Sequence, residues 1–164
     1  MTTHKTDAVT SGLMPDYSRA GVVLARTGVI TFDAQDEFIS GDTIQLVPVP
    51  KNAQILDIHL CAYVAGGTLD FTAATGCHVG DGSSPSRFMD DVSIGEDSVL
   101  TLIKDGKPYA VGYTYDEGND TIDLALTSAA TVNQTNLVIK CTVYYKMAGS
   151  ISDEDFVEYN AVGG

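Results

Sequence analysis

Residues 49–72, VPKNAQILDIHLCAYVAGGTLDFT, constrain the fold more than any other stretch of the chain. From Leu56 onward the pattern alternates. Leu56, Ile58, Leu60, Ala62 and Val64 fall on one side, and Asp57, His59, Cys61 and Tyr63 on the other. Side chains alternate across a strand with period two, so this stretch predicts a half-buried strand with one apolar face. Gly66-Gly67 tolerates the positive φ of a tight turn, and Thr68-Leu69-Asp70-Phe71-Thr72 then alternates again. That combination predicts a returning hairpin partner.

The same signals recur along the chain. Residues 21–25 and 28–32 are β-branched and apolar, which predicts a strand or a strand pair. Residues 43–47 alternate before Pro48 and Pro50. Proline cannot donate to a ladder, so this strand is expected to end there or to lie at an edge. Residues 76–86, rich in Gly, Ser, Asp and Pro, are expected to form a long loop. Further strands are predicted at 98–103, at 109–115 with its tyrosines, at the Ile122, Leu124, Leu126 series, and at 137–146. Here Asp57 and Asp123 are expected to face solvent. About eight short strands with no amphipathic helix before residue 150 predict an all-β antiparallel sandwich, with a two-sheet jelly roll as the architecture.

The two ends differ from this body, taken as residues 21–147. Residues 1–20 are polar, punctuated by Gly and Pro, and without sustained periodicity, which predicts an extended N-terminal arm. Val9, Leu13, Met14 and Tyr17 are more apolar than a solvated tail requires, so they are candidate contacts with a neighbouring subunit. Residues 148–164 form an acidic C-terminal tail. Ser152-Asp153-Glu154-Asp155 has the hydroxyl cap and first-turn acids of a helix start. Phe156 and Tyr159 then become candidates for docking on the body or on a neighbour.

Charge excludes one class of partner. The chain carries 22 acidic and 9 basic residues, net −13, and no cluster of Lys and Arg, so nucleic-acid binding is not expected. No apolar run approaches the roughly 18 residues of a membrane span, and residues 1–21 contain no apolar leader core. Synthesis in a cytoplasm without export is therefore expected. Cys61, Cys77 and Cys141 form no CxxC pair and suit small buried hydrophobes or spare thiols in a reducing compartment.

No stretch announces a reaction. His4, His59 and His78 stand far apart, with no zinc-type spacing. Asp90, Asp91 and the turn from Asp116 to Asp120 offer oxygens, but neither run matches a calcium-binding EF-hand loop. There is no GxSxG elbow, and Val79-Gly80-Asp81-Gly82 is not followed by the GK[ST] of a phosphate loop. That run predicts a loop needing special backbone angles. Neither catalytic residues nor a cofactor or metal is expected.

Four pieces in order carry a resemblance: VPKNAQILDIHL (49–60), TLDF with HVGDGSSPSRFMDD (68–91), GYTYDEGNDTIDLALT (112–127) and LVIKCTVYY (137–145). Together they resemble the small bacteriophage virion proteins of the jelly-roll decoration, or cement, type. The resemblance covers about residues 21–147 and leaves out both ends. It implies a structural protein of a tailed-phage virion, a homotrimer that bridges neighbouring major capsid proteins. An acidic surface is repelled by packaged DNA, so the outer capsid surface is the expected location. The alternative is a phage surface or tail binding module, a lectin-like or receptor-binding jelly roll that uses exposed loops.

Overall fold

Alternating burial builds two stacked sheets in the computed structural model, which describes residues 3–11, 22–32, 40–64, 74–94, 98–127 and 137–148. Along the chain come β1 (Thr3–Lys5), α1 (Asp7–Thr10), β2 (Leu24–Phe32), β3 (Thr43–Val49), β4 (Ala53–Val64), β5 (Ala74–Gly80) and β6 (Met89–Ile94). There follow β7 (Ser98–Thr101), the short helix α2 (Leu102–Asp105), a 3-10 turn (Pro108–Ala110), β8 (Asp120–Ala125) and β9 (Leu137–Met147). One sheet has the order β1-β3-β8-β5-β6 and the other β2-β9-β4-β7. All pairings are antiparallel except β1 with β3. The protein is thus an all-β sandwich.

The pairing is nested. β5 pairs with β6, β4 with β7, β3 with β8 and β2 with β9, as if one long hairpin had been rolled up. Pairing of β4 with β9, from Ala53↔Met147 to Val64↔Leu137, forms the spine of the four-stranded sheet. Between the sheets lie Ile55, Ile58, Leu60, Ile139, Cys141, Val143 and Tyr145 from one side and Ile44, Leu46, Val79, Met89, Ile122 and Leu124 from the other, all buried. Burial of such side chains, about 1.5–3 kcal/mol each, is the main favourable contribution to folding.

Four local expectations need correction, and one holds. The inward series of β4 begins one residue off: Ile55 is fully buried while Leu56 is half-buried, because a bulge between Ile55 and Asp57 inserts Leu56 as an extra residue. The reading of β3 as ending at its prolines or lying at an edge agrees with the structure: it runs through Pro48 to Val49, paired with Thr121 and Asp120 of β8, and stops before Pro50. β1 covers only Thr43, Ile44 and Gln45 on the opposite side, so no described strand there asks Pro48 for a donor. Residues 76–80 are strand rather than loop, since Cys77 and Val79 alternate into the core. Residues 102–103 belong to α2, whose Thr101 hydroxyl caps the helix by accepting from Lys104 N–H. Residues 109–115 are not a strand either: Pro108 opens a 3-10 turn, and beyond it only the bridge Gln54↔Thr114 forms.

The N-terminal segment is tied to the body over residues 3–11. β1 adds to β3 as a parallel edge strand, with His4 opposite Ile44. Thr6 is fully buried; its N–H donates to the Gln45 carbonyl at 3.0 Å and its hydroxyl donates to the Leu46 carbonyl. α1 then packs on β2 and β3. Gly28 of β2 allows this approach, because a β-carbon there would sit 1.9 Å from the Leu46 carbonyl oxygen and 2.8 Å from the Thr6 hydroxyl. The first half of the expected arm therefore fills one side of the sandwich instead of standing free. Residues 12–20, the hairpin return at 68–72 and the tail from residue 149 lie outside the described residues.

Candidate functional site

A cleft of about 620 Å³ opens beside the end of β8, between the loop after β5 and the segment that leads into β8. Ser83 and Arg87 line one side, and Tyr113, Tyr115 and residues 116–120 the other. The first wall is built around Asp81, whose side chain is completely buried. Its Oδ1 accepts from Ser83 N–H at 3.1 Å, from the Ser83 hydroxyl at 2.9 Å and from Ser84 N–H at 2.8 Å. An aspartate that folds its own loop in this way explains the DGSS sequence, since Asp readily caps backbone donors two and three residues ahead. Arg87 Nε donates to Asp81 Oδ2, and Arg87 Nη2 donates to the Ser83 hydroxyl at 2.7 Å. Gly80 lets this loop fold back on the strand end, because a β-carbon there would meet the Ser84 carbonyl oxygen at 2.1 Å.

Aromatic rings join the two walls. The Arg87 guanidinium lies 4.2 Å from the centroid of the Tyr113 ring, an attractive cation–π contact. Tyr113 meets Phe88 and Tyr115 edge-on, with centroids 6.0 and 5.1 Å away. Tyr115 is 4% exposed, and its hydroxyl has no hydrogen-bond partner among the described residues. Burial, with the charges of Asp81 and Asp120 added, pushes its phenol far above the usual range and keeps it neutral. On the opposite wall Asp116 and Glu117 are exposed, and Asp120 is half-buried with Oδ1 accepting from Thr121 N–H at 2.8 Å.

Asp123, three residues further along β8, is 6% exposed, and its Oδ1 has no hydrogen-bond partner among the described residues. Desolvation raises its pKa from 3.8 to about 6, opposed by a hydrogen bond with Thr121 and assisted by the charges of Asp120 and Asp81. The expected solvent-facing role of Asp123 is thus incorrect, because the strand beside it and the loop folded over Gly80 exclude water. Asp57 is not free in solvent either: its Oδ1 accepts from Ile58 N–H at 2.9 Å, and its Oδ2 lies 2.8 Å from His59 Nε2.

Among the residues singled out as contacts, Val9 is half-buried on α1, whereas Leu13, Met14, Tyr17, Phe156 and Tyr159 lie outside the described residues. The acids considered for calcium are not gathered. Asp90 pairs with His78 at 2.8 Å and with Lys107 at 3.2 Å, while Asp116 and Asp120 line the cleft. Among the described residues no three His, Cys, Asp or Glu side chains converge as a metal site. Cys61, Cys77 and Cys141 form no disulfide; burial pushes the Cys77 thiol up to about 11 and raises Cys141 further. These thiols pack as hydrophobes. Nothing in the sequence alone joined the Asp81 loop to the two tyrosines; the signal present was the DGSS turn chemistry.

The molecule also exposes apolar side chains around β7, α2 and the 3-10 turn: Val99 at 62%, Ile103 at 72% and Tyr109 at 76%. Among the described residues no helix is long and apolar enough to cross a membrane.

No protein-family model matches the chain, and no curated protein does. Solved structures with the same fold come from two phage particles. A chain from the capsid of Ralstonia phage GP4 is 16% identical with a TM-score of 0.61, over 90% of this chain and 99% of that one. A chain from the Cyanophage Pam1 capsid asymmetric unit is 18% identical with a TM-score of 0.60, over 82% of this chain and 91% of that one. At these identities the likeness is one of fold, and it extends over nearly the whole of both partners.

Proposed function

We propose that this chain is a structural protein of a tailed-bacteriophage virion, which decorates and cements the capsid by bridging neighbouring major capsid proteins. The observation that carries the proposal is the likeness to chains of two phage capsids, matched at 99% and 91% of their own lengths. The nested strand pairing supports a jelly-roll body, since a hairpin rolled into two sheets is how that fold is made. A rigid sandwich suits a part whose task is to bury area across capsomer joints, where repeated weak contacts add by avidity.

Net charge of −13 favours the outer capsid surface, away from packaged DNA. The partners are the major capsid protein and two further copies in a homotrimer, with Val9, Leu13, Met14, Tyr17, Phe156 and Tyr159 as the proposed contacts at the two ends. Fold alone does not assign function. The test is to mix purified protein with bare capsids and sediment them. Saturable co-sedimentation supports cementing, and protein left wholly in the supernatant rejects it.

A second reading, a surface or tail binding module, draws on one observation: the walled cleft beside Tyr113 and Tyr115. Adsorption of the free protein to host cells or glycans would favour it.

A further inference from the structure

We infer that the apolar patch of Ile103, Tyr109 and Val111, with Val99 beside it, is the seat for the C-terminal segment of a second copy of this chain. Local geometry builds the patch. Leu102 of α2 and Ala110 of the 3-10 turn are buried in the core, so their neighbours Ile103, Tyr109 and Val111 turn outward and stand exposed. α2 packs on both β7 and the 3-10 turn, which brings these side chains together. Their support is fixed: Gly112 N–H donates to the Ile55 carbonyl at 2.7 Å, and Ile55 N–H donates to the Tyr113 carbonyl at 2.8 Å. Apolar side chains exposed singly are ordinary, but a group of them on a rigid support marks an interaction surface.

Charge selects the occupant. In a chain of net −13 this patch is bordered by lysines. Lys104 is exposed next to Ile103, and among the described residues its only acidic contact is Asp105 at 3.8 Å. Lys146 is paired with Gln54, whose Nε2 donates to the Gly112 carbonyl at 3.0 Å, and no described acid lies within ion-pair distance of it. The acids nearest the patch are engaged. Asp105 Oδ2 accepts from Thr101 N–H at 2.9 Å, and Asp57 Oδ1 accepts from Ile58 and Ile103 N–H at 2.9 and 3.3 Å. The complement is an acidic segment that carries large apolar side chains. Residues 149–164 have that composition: Ile151, Phe156, Val157 and Tyr159 stand among Asp153, Glu154, Asp155 and Glu158, with no Lys or Arg.

Reach and size agree with this occupant. Ala148 N–H donates to the Asn52 carbonyl at 2.7 Å, so the chain leaves the sheet beside the start of β4. From there residues 149–164, at about 3.3 Å each, extend up to about 50 Å, enough to reach an adjacent copy. Four apolar side chains suit a linear segment, whereas docking of two bodies face to face needs about 800 Å² from each partner. Each copy would give one segment and receive one, a head-to-tail contact that closes into a ring where the rotation permits. The inference rests on the proposed self-association of the chain, and it supplies the surface that Phe156 and Tyr159 meet.

The test places the photocrosslinking residue p-benzoylphenylalanine at position 156 or 159 of the full-length protein. After irradiation, a denaturing gel separates cross-links between copies from those within one, and mass spectrometry locates them. Covalent dimers and trimers joined to residues 99–111 are expected. Ile103→Ser/Tyr109→Ser changes only exposed side chains and should lower their yield about tenfold, because the apolar contact is the main favourable term. Lys104→Glu should lower it by about two- to fivefold, as an exposed ion pair allows. Val29→Ser, on the opposite edge of the same sheet, should leave it unchanged. Cross-links confined to single copies, or attached outside residues 99–111, would overturn the inference, as would equal losses in the Val29 and Ile103/Tyr109 variants. Capsid sedimentation is scored separately. Cross-links through the patch in a protein that stays off capsids would keep the seat and reject the virion reading, and capsid binding without them would do the reverse.

Discussion

Two aspartates separate the two kinds of buried polar group in this protein. Asp81 has no exposed side-chain surface, and every direction around it is answered: two backbone N–H groups, a serine hydroxyl and the Arg87 guanidinium. Asp123 is nearly as buried, yet one oxygen has no partner among the described residues and the nearby charges of Asp120 and Asp81 are like its own. Burial is therefore not what distinguishes a structural acid from a frustrated one. The partners are. The first organises a loop and a cleft wall; the second weakens the strand that carries it.

Removing each acid should break that comparison in opposite directions. Asp81→Ala is expected to have the largest effect, a loss of about 3–5 kcal/mol, because it strands Arg87 and unties Ser83 and Ser84. Urea titration would show this as a lower midpoint, and an unchanged midpoint would mean that the loop is held by other contacts. Asp123→Asn should instead stabilise the protein at pH 7 by about 2 kcal/mol, since the ionised form is the costly one and solvent at the rim softens that cost.

The pH dependence follows from the direction of the shift. The folded pKa of Asp123, about 6, lies above the ordinary 3.8, so the folded state holds the proton more tightly than the unfolded chain. Its contribution is fully present below about pH 4 and is lost as pH rises through about 6. The difference in stability between the wild type and Asp123→Asn should grow across that window and level off above it. A constant difference would place the titration elsewhere. Thr6 provides the smallest test, a neutral buried group with partners: Thr6→Val keeps the shape but removes the donor to Leu46, and should cost about 1 kcal/mol.

Apolar strands were legible in the sequence, but local insertions and the polar flank were not. Ile58, Leu60 and Ala62, and Ile122, Leu124 and Leu126, announce their faces because period two has no other cause at that length. The bulge at Leu56 is invisible, since a half-buried leucine and a buried one are the same letter. Tyr113 and Tyr115 suit a pleated surface equally well, yet they became cleft walls because the loop from Asp81 to Arg87 gave them a cation and a polar neighbourhood to pack against. Thr6 was unreadable for the converse reason: a threonine in a polar stretch is buried only where Gly28 has left room beside Leu46. Asp81 carried its signal in the following Gly-Ser-Ser, but the ring and guanidinium that complete the site come from sequence-distant positions.

We propose that the protein sits on the outside of a phage capsid and ties capsomers together. An electron cryomicroscopy map of the assembled particle tests it most directly, with particles lacking the protein as the reference. Difference density is expected on the outer shell at the joints between capsomers, in threefold groups, into which the two-sheet body fits. Difference density on the tail, inside the shell, or absent from the particle altogether would contradict it.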